Sequence, residues 1–371
     1  MGNESSPAAS AILTLDLAAL AENWRRLCRL AEGAEVAAVV KANGYGIGAA
    51  PVAKALRAAG CRSFFVAHAS EGLTLRRTLP DADIYVLHGL LPGEEPAAQA
   101  AGLIATLNDL PQIDICAALG RRGRPLPAAL HIDTGMTRLG LSEPDVHELA
   151  RNPARLAGLD LRLVMSHLAC SEEDGNPMNP RQLAEFERLR ALLPAAPASL
   201  ANSAGIFLGP PYRFEMVRAG VALYGANPLE RGVNPMVQVV HLQGRILQTR
   251  RVDSPRTVGY GATHLADRSA RIATVGVGYA DGYPRSLGNR GFAHVGSQRV
   301  PVVGRVSMDL ITLDVTRLPA DAAEPGTLVD LMGGNVDIDE LAVAAGTNTY
   351  ELLTRLGPRY RRIYTGGPHD A

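Results

Sequence analysis

The chain has 371 residues, 47% of them apolar, enough for two domains or for one barrel with an appendage. Lysine plus arginine and aspartate plus glutamate each total 37, so the net charge is zero with histidines neutral, which argues against an electrostatically driven nucleic-acid or anionic-membrane partner. No apolar run nears the ~20 residues that span a bilayer, no basic-then-apolar segment opens the chain, and Cys28, Cys61, Cys116 and Cys170 lack metal-type spacing; a cytoplasmic protein with reduced thiols is expected.

Residues 1–10 show no periodic pattern and are expected to be disordered. Leu17, Leu20, Trp24 and Leu27 recur at helical spacing over residues 17–30, and Asp16 suits the N-cap. Short apolar runs then follow at residues 36–40, 63–67, 84–87, 103–107, 129–132, 161–165, 198–201 and 216–219. Helix-like stretches separate them at 51–59, 71–79, 111–119, 143–150 and 181–192. Eight such alternations fit an N-terminal (β/α)8 TIM-like barrel over residues 11–235 better than a doubly wound sheet. Past Pro235 the character changes. Strand-like runs at 237–248, 271–277, 293–295, 300–303, 310–315 and 328–331 are separated by Gly, Pro and Asp, giving a C-terminal β-rich domain over 236–371. One helix, at 338–345 or 350–356, closes it.

In such barrels the chemistry gathers where strands end. The expected strand ends offer, in order, Lys41, His68, His88, Asn108, Asp133 through Arg138, His167, Asn202-Ser203 and Arg218. His68 and His88 read most simply as ordinary loop histidines. No close histidine pair has ligand spacing, and Arg138 and Arg218 would repel a cation, so no metal is expected.

Lys41 is one of only two lysines among the 37 basic residues. Arginine cannot give up its proton, whereas a lysine amine can and forms imines with aldehydes. Asn202-Ser203-Ala204-Gly205 supplies a hydroxyl and backbone amides suited to a phosphate, Gly220 and Val221 can add further N–H groups, and Tyr45 can donate a phenolic hydrogen bond. An imine-forming lysine beside a phosphate cradle points to pyridoxal 5′-phosphate.

From about residue 11 to 364 the chain closely resembles the alanine racemase family. The barrel motifs are Ala38-Val39-Val40-Lys41-Ala42-Asn43-Gly44-Tyr45-Gly46, Asp133-Thr134-Gly135-Met136-Thr137-Arg138-Leu139-Gly140 and Val217-Arg218-Ala219-Gly220-Val221-Ala222-Leu223-Tyr224-Gly225. The second domain carries Val258-Gly259-Tyr260-Gly261-Ala262-Thr263, Gly278-Tyr279-Ala280-Asp281-Gly282-Tyr283 and Gly304-Arg305-Val306-Ser307-Met308-Asp309. The resemblance implies a head-to-tail homodimer with shared active sites that supplies D-alanine for peptidoglycan. It implies that Lys41 holds the cofactor and serves one face of the substrate α-carbon. Tyr260 of the second subunit would serve the other face and receive a hydrogen bond from His167. Arg218 would contact His167 and the pyridine nitrogen, and Tyr45, Ser203, Gly220, Val221 and Tyr350 would hold the phosphate. Arg138 and the Met308 amide would bind the substrate carboxylate.

Two positions depart from the family pattern. His131 stands where many members carry a carbamylated lysine that orients the carboxylate-binding arginine, so another anion must hold Arg138 or it is less tightly fixed. Ile47 replaces a histidine. The alternatives are a racemase for serine or a larger amino acid, a non-enzymatic cofactor carrier, and a decarboxylase. The carrier would lack the second domain, and the decarboxylase would place a carboxylate at position 218.

Overall fold

The computed structural model describes residues 9–229, 232–253, 255–266 and 268–367. Most of the stretch expected to be disordered, residues 1–8, lies outside them. The described chain forms two compact units: Ala19–Val237, and residues 9–18 together with Gln238–Gly367.

The first strand, β1 (Ala11–Asp16), belongs to the second unit. β2 (Glu35–Val39), β3 (Ser63–Val66), β4 (Asp83–Val86), β5 (Ile104–Leu107), β6 (Leu126–His131), β7 (Leu159–Met165), β8 (Ala198–Ser199) and β9 (Met216–Ala219) form one parallel sheet in the order β8-β7-β6-β5-β4-β3-β2-β9. The Arg218 N–H in β9 donates to the carbonyl of Ala201 just past β8 (2.9 Å), which draws the two ends of the sheet together. This is the expected (β/α)8 barrel. Its strands are short and mostly apolar because a parallel sheet is covered on both faces; Phe64 and Phe65 are fully buried. Helices such as Ala69–Thr78 and Leu110–Arg121 follow the strands, the latter capped by Asp109, whose carboxylate accepts the Gln112 N–H at 2.8 Å. After β8 and β9 the chain uses only short 3₁₀ turns.

One connection is unusual. After β2, residues 42–45 turn left-handed, with φ of 53°, 55°, 62° and 52°. Three of the four are not glycine, and each L-residue in this region costs roughly 1–2 kcal/mol. Hydrogen bonds hold the turn: Gly44 N–H to Val40 O, Gly46 N–H to Ala42 O and Gly48 N–H to Asn43 O, all 2.8 Å.

The second unit contains β10 (Val240–Val252), β11 (Arg256–Val258), β12 (His264–Ala266), β13 (Ala270–Val275), β14 (Phe292–Val295), β15 (Gln298–Pro301), β16 (Ile311–Asp314), β17 (Leu328–Met332) and β18 (Arg361–Thr365). Its main sheet runs β15-β14-β17-β10-β1-β18, with β13 joined at β10, β16 paired to β13 and a separate β11–β12 hairpin. Helices form at both Ile338–Ala345 and Thr349–Thr354. Residues 11–18, assigned from the sequence to the barrel, lie here. The reason is visible in β1: Ala11, Leu13 and Leu15 are buried while their neighbours are only partly so, the period-2 pattern of a one-sided sheet rather than of a barrel strand. Among the described residues no helix is long and apolar enough to cross a membrane.

Candidate active site

Lys41 sits at the end of β2, where burial lowers its amine pKa, with Arg138 and Arg218 acting in the same direction and Glu71 against them. Its neutral form is thereby made more accessible. The left-handed turn after it delivers Tyr45 into the interior, where the ring stacks on Tyr224 at 4.5 Å. Tyr224 is itself anchored by donating to Val39 O (3.0 Å).

Tyr45 ends against Gly220. A Cβ at residue 220 would come within 2.5 Å of the Tyr45 hydroxyl oxygen, so only glycine permits this approach. Ser203 completes the group; its Oγ accepts the N–H groups of Gly220 (2.8 Å) and Ala222 (3.3 Å). Tyr45, Ser203, Gly220 and the adjoining Val221 are thus gathered at the same rim as Lys41.

Arg218 is fully buried on β9. Nη1 donates to Ser199 O (3.0 Å) and Ser199 Oγ (2.6 Å), and Nη2 to Ser166 O (2.6 Å), Leu200 O (3.3 Å) and His167 Nδ1 (3.2 Å). Burial pushes this guanidinium down to about 9, still a cation at neutral pH. Its Nε–H has no partner among the described residues. A cationic donor left over in this way suits an acceptor brought by a ligand.

Because arginine only donates, His167 Nδ1 must accept, which leaves the proton on Nε2. Burial and the positive charges of Arg218 and Arg138 hold His167 well below the usual histidine range, so it is a neutral donor through Nε2. Gln182 fixes the backbone beneath it, donating to His167 O (2.9 Å) and accepting from Ala169 N–H (2.8 Å).

His131 has the opposite tautomer. The amide of Asn108 donates to Leu87 O and Thr106 O, so its Oδ1 accepts from His131 Nδ1–H at 2.7 Å. Burial and Arg218 push His131 down to about 4. The residue at this position is therefore neutral, and the anion expected to steady Arg138 is not supplied by residue 131. Arg138 instead belongs to a loop closed by Leu141 N–H to His131 O (2.7 Å) and ordered by Asp133, whose carboxylate accepts the Gly135 and Thr137 N–H groups at 2.9 and 3.0 Å. His68 and His88 meet edge-to-face at 4.5 Å on the surface, with burial, His68 and Lys41 lowering the pKa of His88.

The remaining predicted residues lie in the second unit. Tyr260 tops the β11–β12 hairpin and is 73% exposed. A Cβ at Gly304 would meet Val258 O at 2.9 Å, which shows how closely the Tyr260 turn approaches the segment leading to Met308. Met308 is 53% exposed; its carbonyl accepts Ala280 N–H (3.0 Å), and Gly278 packs so tightly that a Cβ there would fall 2.3 Å from Met308 O. Arg359 braces this loop with a fork on Asp281 (2.7 and 2.9 Å) and a bond to Asp309 (2.8 Å). Tyr350 lies in the first turn of Thr349–Thr354, capped by Asn348.

Glu71, Gln182 and the Arg359 brace escaped the sequence reading. Only Glu71 left a sequence mark, three residues past His68 at the start of a helical stretch, the spacing of an N-terminal capping box.

Residues 15–228 match the family described as alanine racemase, N-terminal domain, and residues 239–364 match alanine racemase, C-terminal domain. An alanine racemase of Rhodospirillum rubrum is 52% identical over 369 residues, 99% of this chain and 98% of the relative. A catabolic alanine racemase of Mesorhizobium japonicum is 50% identical over 98% of this chain and 95% of its own. Among solved structures, alanine racemase from Bartonella henselae with covalently bound pyridoxal phosphate superposes with a TM-score of 0.93 at 38% identity, covering 96% of this chain and all of that one. The biosynthetic alanine racemase of Pseudomonas aeruginosa gives 0.90 at 34% identity, with coverage of 96% and 100%.

Proposed function

The chain belongs to the alanine racemase family, and on that premise we propose that it interconverts L- and D-alanine with Lys41 and Tyr260 moving the proton on opposite faces of the α-carbon. The family's cofactor is pyridoxal 5′-phosphate, and the residues present fit it. Bound, it supplies an aldehyde that an amine can condense with and a ring that acidifies the substrate α-proton. The observation that carries the reading is Arg218: fully buried, satisfied at both terminal nitrogens, with one donor left beside a lysine of lowered pKa and a glycine-serine-tyrosine cradle.

Each residue has a task. Tyr45, Ser203, Gly220, Val221 and Tyr350 hold the phosphate, and Arg218 meets the ring nitrogen through Nε–H. An arginine hydrogen-bonds that nitrogen without surrendering its proton, which favours simple return of the α-proton over side reactions. Arg138 and the Met308 amide orient the substrate carboxylate. Racemisation requires a proton to leave one face and arrive at the other. Lys41 serves one face as a neutral amine. Tyr260 serves the other through its phenol oxygen, and the neutral His167 assists it by donating Nε2–H to that oxygen. Tyr260 comes from a second copy of the chain in a homodimer; its exposure suits that role.

We assign the physiological direction to D-alanine supply for peptidoglycan in the bacterial cytoplasm. The relative named catabolic, at 50% identity, favours the reverse direction as a second reading. Deletion of the gene separates the two: a growth requirement for D-alanine marks supply, and loss of growth on alanine as carbon source marks catabolism.

Cofactor-loaded protein incubated with L-alanine in heavy water should yield D-alanine bearing an α-deuteron. Lys41→Ala should abolish this. Tyr260→Phe should leave α-deuterium exchange only in the enantiomer whose α-proton faces Lys41, while conversion between L- and D-alanine falls by about 10²–10⁴. Wild-type rates of D-alanine formation in Tyr260→Phe would refute the two-face assignment.

A further inference from the structure

The Glu71 carboxylate makes bonds that its place in a helix does not require. Helix Ala69–Thr78 begins after His68, and Glu71 reaches back to the His68 N–H at 3.4 Å, as the third residue of a capped helix does. Its two shorter bonds go elsewhere. One oxygen accepts the Ala67 N–H at 2.8 Å, at the end of β3, and the other accepts the Ala42 N–H at 2.8 Å. Ala42 directly follows Lys41 and opens the left-handed turn. A cavity of about 270 Å³, lined by Val40, Asn43, Ala49, Ser70, Glu71 and Thr74 among others, lies behind that turn. Packing therefore does not brace the turn on this side, and a hydrogen bond to a carboxylate does.

We propose that Glu71 is a positioning residue for Lys41: its carboxylate ties the left-handed turn after β2 to the end of β3, and so fixes where the lysine amine is presented. The strained backbone of Ala42 persists because this acceptor holds it in place. The negative charge also reaches the lysine, where it opposes the effect of burial. The inference rests on the reading of Lys41 as the cofactor-bearing residue, and its test is arranged so that the two can fail separately.

The test uses the full chain stripped of cofactor, as wild type, Glu71→Gln and Asp109→Ala. Asp109→Ala removes a comparable helix cap on another strand–helix connection and has no bond to residue 42. Hydrogen exchange is followed over residues 42–46, then the rate at which added pyridoxal 5′-phosphate forms its absorbing link to Lys41, then kcat and KM after loading. In Glu71→Gln, exchange over 42–46 should rise and link formation should slow, each by about tenfold, as expected for loss of one charge-assisted hydrogen bond. kcat should fall by a similar factor with KM within about twofold. Asp109→Ala should lower the melting temperature and change none of the three.

Unchanged exchange over 42–46 overturns the proposal, as does faster exchange with wild-type link formation and kcat; either leaves the racemase reading intact if the wild type turns over. A wild type that links the cofactor but makes no D-alanine overturns that reading alone, and exchange and link formation still decide the clamp. If Glu71→Gln does not fold, Glu71→Asp, which keeps the charge and shortens the reach, is put through the same readouts.

Discussion

His131 shows how a single buried ring writes itself into the pH dependence of the molecule. Its folded pKa is pushed from 6.5 down to about 4, so between those values the unfolded chain takes up a proton that the folded chain refuses. The stability that depends on this neutral ring is fully present above pH 6.5 and drains as pH falls toward 4, with a slope approaching ~1.4 kcal/mol per pH unit. His167, also held neutral, adds to the same acid sensitivity. Urea unfolding at pH 7.5 and pH 5.0 should show the wild type losing more stability than His131→Asn across that interval. Equal losses would mean that His131 is not the titrating group. At this scale the sequence was legible in position: Lys41 lies just past an apolar strand and Arg218 on a buried one, as their surroundings in the chain indicate. The tautomers of His131 and His167 were not legible, because each is set by one partner, Asn108 or Arg218, brought in from another strand.

Among elements, the left-handed turn carries the sharpest contrast. Gly44 and Ala42 share nearly the same backbone angles, yet only one is a glycine. Ala42→Gly removes a Cβ from an unfavourable conformation and should raise stability by up to about 1 kcal/mol. Gly44→Ala adds a Cβ at φ 62°, within 3.1 Å of the Ala49 nitrogen, and should lower stability by about 1–3 kcal/mol. Thermal melts of the two variants should move in opposite directions; movement in the same direction would argue against strain at the turn. Barrel strands were readable because burial on both faces makes each a compact apolar run. The left-handed turn was not, since Ala42 and Tyr45 seldom take these angles, and the bonds that hold them there, local ones and the one to Glu71, exist only in the folded chain. Nor was the reach of Glu71: within its own helix it is a capping glutamate, and its bond to Ala42 joins two connections 29 residues apart.

For the whole molecule, the homodimer proposal has a direct consequence. If Tyr260 serves a second copy's site, activity per chain must fall with dilution once subunits separate, following mass action. Specific activity measured alongside sizing over a dilution series should decline together with the dimer fraction. Monomers retaining full activity would rule out shared sites. The division into barrel and β unit was legible from the change of pattern near Pro235, while the membership of residues 11–18 was not: nothing local in Ala11–Asp16 announces partners at the far end of the chain.

That placement governs how the protein can be made. β1 is an interior strand, paired to β10 on one side and β18 on the other, with Ile12 opposite both Gln243 and Arg361. A ribosome delivers it first, yet its last partner emerges more than three hundred residues later. At ~5–20 residues per second, the barrel has time to fold while this strand waits unpaired. Translation halted before residue 361 leaves β1 with an open edge. A gene fragment beginning at residue 236 encodes a sheet with an interior strand missing and β18 left without its partner, so the two units, though compact, are not two separable products.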